Sequence, residues 1–251
     1  MADNRVKSAA RALDILEFFA VVRRPAVVAE IVAALRIPQS STSVLLRSLV
    51  AQGYLEYLAE DRRFRPTLRV AVLGSWMEHG FVAVPLAERL DALQEKIQET
   101  VLLGRRQGFH IQYIYFRAPQ HIQFQLQKSL QRDRLLTITA MGRALLSTLP
   151  DAAARKIIRR NNLEAARPEH RVNEQELMTS LEEIRRTSIS ETNDFGGQPR
   201  GHVVATLISN GTDREPMALG IAVPLSRLEK SRQAIVIALR EWNRKIKAKS
   251  Q

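Results

Sequence analysis

Between Ser8 and Pro66 the apolar residues change their spacing once, and that change limits the fold more than any other feature of the chain. Ala9, Ala12, Leu13, Leu16 and Phe19 recur at helical intervals behind Ser8, a serine placed to cap a first helix. Arg23, Arg24 and Pro25 break the pattern, and Val28, Ile31, Val32 and Leu35 resume it in a shorter run. Pro38 opens a third run, in which Thr42, Leu45, Leu46 and Leu49 share a face until Gly53 stops it. Beyond Gly53 the segment "YLEYL" alternates apolar and polar side chains, and "RRFRP" can pair with it across the polar turn "AEDR". Three helices and a hairpin within about 65 residues describe a winged helix-turn-helix, whose second and third helices form a DNA-reading unit.

The remainder alternates between the two periods. Leu73, Trp76 and Met77 lie in an apolar-periodic stretch that predicts a linker helix over residues 69–83, between a DNA-binding domain at 1–68 and a second domain at 84–251. "PLAERLDALQEKIQET" reads as an amphipathic helix, and "VLLGRR", "HIQYIYF" and "HIQFQLQ" as strands. "TAMGRALLSTLP", "DAAARKIIRR" and "NEQELMTSLEEIRRT" predict helices, and "HVVATLIS" and "MALGIAV" an antiparallel hairpin at 203–223. A helix from about Ser226 to Lys247 closes an α+β layout.

A formal charge of +12 and a pI near 10.6 point to polyanions, nucleic acid first and an anionic membrane surface second. The chain has no cysteine, which excludes disulfides, Cys-ligated zinc and a Cys nucleophile and suits a reducing cytoplasm. The N-terminal residues lack the order of a signal peptide, and no window carries the ~18 uninterrupted apolar residues of a spanning helix, so a cytoplasmic protein is expected. No nucleophile elbow, phosphate-binding loop, dinucleotide fingerprint or H-E-x-x-H is present. The histidines at 79, 110, 121, 170 and 202 show no metal-ligand spacing, so no enzyme, cofactor or metal is expected.

In their order and spacing, "SAARALDILEFFA", "AEIVAALRIPQSSTSVLLRSLVAQGYLE", "RRFRPTLRVAVLGS", "ITAMGRALLSTLP" and the strand around "HVVATL" resemble the IclR family of bacterial transcriptional regulators. The resemblance covers nearly the whole chain. It implies an N-terminal winged helix-turn-helix, a linker helix and a C-terminal GAF-like effector-binding domain with an antiparallel sheet. It also implies a homodimer or homotetramer that binds double-stranded operator DNA and responds to a small-molecule effector, a carboxylate or an aromatic metabolite.

If the leucines of the third helix face the core, Gln39, Ser40, Ser43, Val44 and Arg47 lie on the opposite side. Gln39 can pair with adenine edges and Arg47 with guanine or phosphate, while the hydroxyls of Ser40, Ser41 and Ser43 can donate to phosphates. Val44 stands where the family commonly has a basic residue, and suits contact with a thymine methyl. Arg62, Arg63 and Arg65 in the wing would clamp phosphates or the minor groove. The competing reading has the serines only capping the helix and the arginines solvated. Val27 and Arg36 depart from the capping hydroxyl and the glycine expected at the ends of the second helix.

The resemblance also implies an effector site between the sheet, the start of the "ITAMGRALL" helix and a loop before a strand. Ala140, Met141 and Gly142 would present amides to a carboxylate, with Asp194 in the loop, His202 opening a strand, and Gly220 and Ala222 on the last strand. Low polarity and room at Gly220 favour a bulkier, aromatic ligand. For His202 a purely structural role is the alternative, and for Asp194 a turn cap. The alternative functions are an effector-independent architectural DNA binder and a hydrolase or transferase with a basic surface.

Overall fold

In the computed structural model, which describes residues 6–73, 80–119, 134–193, 201–208 and 216–247, the first helix turns inward a face that differs from the expected one. α1 (Lys7–Val22) buries Ile15, Phe18 and Phe19, whereas Leu13 is 61% exposed. Ser8 lies inside the helix, whose N-cap is Val6 without a side-chain hydrogen bond, so the expected serine cap is absent. Phe19 is inside as expected, with Ala12 and Leu16 half-buried, and the face is rotated so that Ile15 and Phe18, which bury far more apolar area than Ala9 would, go in with it. α2 (Val28–Leu35) and α3 (Gln39–Ala51) close the core with Ile31, Leu35, Leu46 and Leu49. The enclosed Thr42 hydroxyl donates to the Pro38 carbonyl at 3.1 Å, and Leu45 is half-buried.

The unusual ends of α2 are both accommodated. The Val27 side chain offers no acceptor, but its N–H donates to the Glu30 carboxylate at 3.0 Å, which is the reciprocal half of a capping box. Arg24 adds bonds of 2.7 and 3.3 Å to the same carboxylate. The Arg24 bond first, then the Val27 amide, hold the Glu30 carboxyl below its ordinary range. Arg36 takes φ 54°, and its N–H donates to the Val32 carbonyl at 2.8 Å. For a residue with a Cβ, that left-handed turn costs roughly 1 kcal/mol.

Gly53, at φ 76°, turns the chain from α3 into the wing. There β1 (Leu55–Leu58) pairs antiparallel with β2 (Arg63–Pro66), with Tyr57 opposite Phe64. The free edge of β2 is taken by Ala26, which exchanges backbone bonds of 3.0 and 2.9 Å with Phe64. The wing is thus tied to the α1–α2 connection. Of the linker helix expected over 69–83, α4 (Leu68–Val72) and the start of α5 (Gly80–Ile97) are described; Trp76 and Met77 lie outside the described residues.

The chain divides into two compact units, Met1–Val84 and Pro85–Gln251. In the second, β3 (Thr100–Gln107), β4 (His110–Arg117), β5 (Arg134–Leu135), β6 (Ser190–Thr192), β7 (Gly201–Ile208) and β8 (Met217–Pro224) form an antiparallel sheet in the order β5-β4-β3-β8-β7-β6. The expected hairpin is present, with Val203 opposite Ala222. The strand expected at "HIQFQLQ" lies outside the described residues.

Helices cover both faces of the sheet. α6 (Ala140–Leu146), α7 (Asp151–Glu164) and α8 (Glu174–Thr187) pack on the face carrying Val203, Ala205, Ala218 and Ala222. α5 and α9 (Leu225–Lys247) pack on the face carrying Val204, Leu219, Ile221 and Val223. β8 therefore alternates small residues toward α6 with large ones toward α9.

The small stripe lets α6 approach closely. A Cβ added at Gly220 would lie 2.7 Å from the Met141 sulfur, and one at Gly142 only 2.3 Å from the Leu136 carbonyl oxygen. The first obstacle is a flexible side chain and the second is backbone. Gly142→Ala is therefore expected to destabilise the C-terminal unit by about 1–3 kcal/mol or more, and Gly220→Ala by clearly less, in denaturant titrations of the full chain. Equal losses would show that α6 is not seated as described.

Candidate nucleic-acid interface and ligand cavity

Burial of Thr42, Leu46 and Leu49 orients α3, and the residues opposite them form a continuous exposed stripe. Gln39, Ser40, Val44 and Arg47 are on it, Val44 with 53% of its surface free. Ser41 and Ser43 are half-buried on its two flanks. Ser48 and Ala51 extend the same exposed stripe toward the C-terminus. They escaped the sequence reading because neither side chain carries a signal of its own, and only the helical period assigns them.

Of the wing arginines, Arg62 sits in the β1–β2 turn at φ 52°. Arg63 and Arg65 project from one face of β2, with buried Phe64 on the other. Arg65 is engaged by Glu56, its cross-strand partner. That pair is about half exposed, so it is weak and screened by salt. Among the described residues, Arg47, Arg62 and Arg63 have no hydrogen-bonded acid partner. One side of this unit therefore combines polar donors, one apolar side chain and these three cations, of which only Arg63 feels a nearby acid, the Glu30 carboxylate; the combination suits base edges and phosphates.

Five of the expected effector residues, Ala140, Met141, Gly142, Gly220 and Ala222, come together in a packed core and not on a cavity wall. Ala140, Met141 and Gly142 begin α6 and are buried. The Ala140 N–H donates to the Thr192 hydroxyl at 3.1 Å and the Gly142 N–H to the Thr139 hydroxyl at 3.0 Å, so two of the three amides are already engaged. Gly220 is not roomy, because the Met141 side chain fills the space, and Ala222 packs into the same core. His202 lies one residue out of phase with them. It pairs with Val223 and points to the α9 face, where Nδ1 is 2.7 Å from Asn193 Oδ1 and Nε2 is 2.9 Å from Glu191 Oε2. Asp194 lies outside the described residues.

A cavity of about 880 Å³ does open at this end of the sheet. Ile138, Arg143, Arg167, Glu169, His170, Val172, Glu191, Thr192, Asn193 and His202 line it, so among the described residues His202 is the one expected residue on its wall. Arg143, one position beyond the quoted "AMG", is half-buried, and its Nε donates to the Thr137 carbonyl at 2.7 Å. Burial lowers its pKa from the ordinary arginine value, and among the described residues it has no acid partner. Among those residues no acid–histidine cluster could hold a metal, and no helix is long and apolar enough to cross a membrane.

The profile of the bacterial transcriptional regulator IclR C-terminal domain matches residues 82–248, and that of the IclR helix-turn-helix domain residues 8–59. This chain belongs to the IclR family. It is 26% identical over 233 residues to the probable transcriptional regulator SauR of Cupriavidus necator, covering 91% of this chain and 90% of that protein. It shares the fold of the Thermotoga maritima IclR structure (TM-score 0.59, 21% identity, 98% and 99% of the two chains). It also shares that of an IclR homolog from Microbacterium hydrocarbonoxydans in complex with 4-hydroxybenzoate (TM-score 0.54, 17% identity, 97% and 98%). As in the IclR family generally, the function is transcriptional regulation through a DNA-binding helix-turn-helix.

In this IclR-family chain Glu191 joins the cavity wall to α9, through His202 on one side and Arg232 on the other, at 3.0 and 2.6 Å. Burial alone would raise the Glu191 carboxyl, but the hydrogen bonds from Arg232 and His202 outweigh it and hold the pKa below its ordinary value. A depressed carboxylate stabilises the fold fully above its unfolded pKa of about 4.3, and that contribution disappears as pH falls through the folded value. The melting-temperature gap between wild type and Glu191→Gln should therefore be widest at neutral pH and shrink below about pH 4. A gap that is constant with pH would mean that the Glu191 charge contributes nothing.

Proposed function

We propose that the chain reads a two-fold operator with α3 and the wing of two copies, and senses a small carboxylic acid, aromatic by preference, in the cavity beside Arg143. The regulator acts in the cytoplasm as a homodimer or homotetramer, since paired heads match paired half-sites. Gln39 and Arg47 read base edges, Val44 meets a thymine methyl, and Ser40, Ser41 and Ser43 bind phosphates at the start of α3. Arg62 and Arg63 hold the backbone beside the wing, and Arg65 contributes less because Glu56 competes for it.

The observation that carries the effector half is Arg143: a half-buried guanidinium on a cavity wall, without an acid partner among the described residues. Such a group favours a ligand that supplies the missing carboxylate in bidentate form. Ile138 and Val172 on the same wall offer apolar surface for a ring. The 4-hydroxybenzoate held by the M. hydrocarbonoxydans homolog has both features and is the natural first probe. His202 then contributes from the wall of the cavity, while Ala140, Met141, Gly142, Gly220 and Ala222 support it from the core and do not touch the ligand.

The test is a gel shift on the gene's own upstream region, with and without 4-hydroxybenzoate or benzoate. Wild type should change its DNA affinity with acid. Arg143→Gln should bind the same DNA but need about 10- to 100-fold more acid for the same response. An unaltered acid response in Arg143→Gln would end the assignment. On the DNA side, Arg47→Ala should weaken the specific duplex more than a scrambled one, and equal losses would reduce Arg47 to a phosphate contact.

A further inference from the structure

Five non-glycine residues among those described have positive φ, and three of them, Arg23, Arg36 and Arg62, are arginines in the DNA-binding unit. Arg36 is the informative one. It forms the turn of the helix-turn-helix at φ 54°, between Leu35 and Ile37, which are only 7% and 5% exposed. Those two anchors, with the 2.8 Å bond from the Arg36 N–H to Val32, leave the backbone no other course. Glycine would adopt this conformation without strain and asparagine with little.

The fold gains nothing visible from the arginine in return. Its side chain is exposed, and among the described residues the guanidinium has no hydrogen-bond or ionic partner. A strained turn that keeps a free cation implies a partner outside the chain. Arg36 stands three residues before Gln39, at the end of α3 that faces base edges when a recognition helix occupies the major groove. A side chain there reaches past the base edges to the flanking backbone.

We propose that Arg36 is a DNA phosphate contact, aimed from the helix-turn-helix turn by its left-handed backbone. The contact is blind to sequence and adds one charge to the salt-dependent part of binding. The inference rests on the proposed placement of α3 in the groove.

The experiment compares full-length wild type, Arg36→Gly, Arg36→Asn and Arg36→Lys on a short duplex from the gene's upstream region and on a scrambled duplex, over a range of salt. Arg36→Gly should melt a few degrees higher than wild type, because the strain is relieved. It should still bind several-fold more weakly to both duplexes, and the slope of log K against log salt should fall by about 0.9. Arg36→Asn should match it in binding, and Arg36→Lys should keep the wild-type slope. Unchanged affinity and slope in Arg36→Gly, a loss confined to the specific duplex, or a loss absent from Arg36→Asn would each overturn the proposal. Arg47→Ala, run in parallel, separates the two failures. If it too leaves binding intact, α3 is not the reading helix; if it weakens binding while Arg36→Gly does not, only the Arg36 contact is lost.

Discussion

The seating of α6 on the small-residue stripe of β8 is the contact on which the C-terminal unit depends. Gly142 lies against the Leu136 backbone and Met141 fills the space over Gly220, so the helix can sit in one place only. Its first turn is then tied to neighbours by Thr139 and by Thr192 on β6. The cavity beside Arg143 follows from this arrangement, because Arg143 occupies the next position along α6 and its Nε is held by the Thr137 carbonyl. A ligand bound at Arg143, as proposed, would press on a closely fitted helix, in which small shifts are not absorbed by loose packing.

The DNA-binding unit solves a different problem, that of a small core with few apolar layers. It gains rigidity through backbone pairing of the wing with Ala26 and through Glu30, which satisfies the start of α2 in place of a capping hydroxyl. Both devices hold α3 without using any side chain of its exposed stripe. That stripe is consequently free to vary in chemistry, and Val44 can stand among polar neighbours at no cost to the fold.

Much of this architecture was legible in the sequence, and the exceptions have physical causes. Pro38 and Gly53 punctuate α3, and the change from helical spacing to alternation after Gly53 announces the wing. In α1 the period was visible but its phase was not, since Ala9 and Leu13 fit one face as well as Ile15 and Phe18 fit another. The strand "HVVATLI" is covered on both faces and is almost wholly apolar, so nothing in it tells which way His202 points. Only the register against β8 settles that. "SET" is too short to show a period, and with it Glu191 and Thr192, which frame the cavity, went unnoticed. Arg143 was hidden for another reason: a basic residue inside a short helix looks solvated until its neighbours bury it.

The brevity of β6 has a consequence for behaviour at high concentration. Three residues of β6 lie against the eight of β7, and the middle one is Glu191. A long apolar edge would be a template for strand-by-strand growth between molecules, the usual route from a sheet protein to insoluble material. Here that template is three residues long and carries a carboxylate bonded to Arg232 on the adjoining helix. The β6 edge of the sheet is thus blunt and charged, which disfavours strand-by-strand growth from that side.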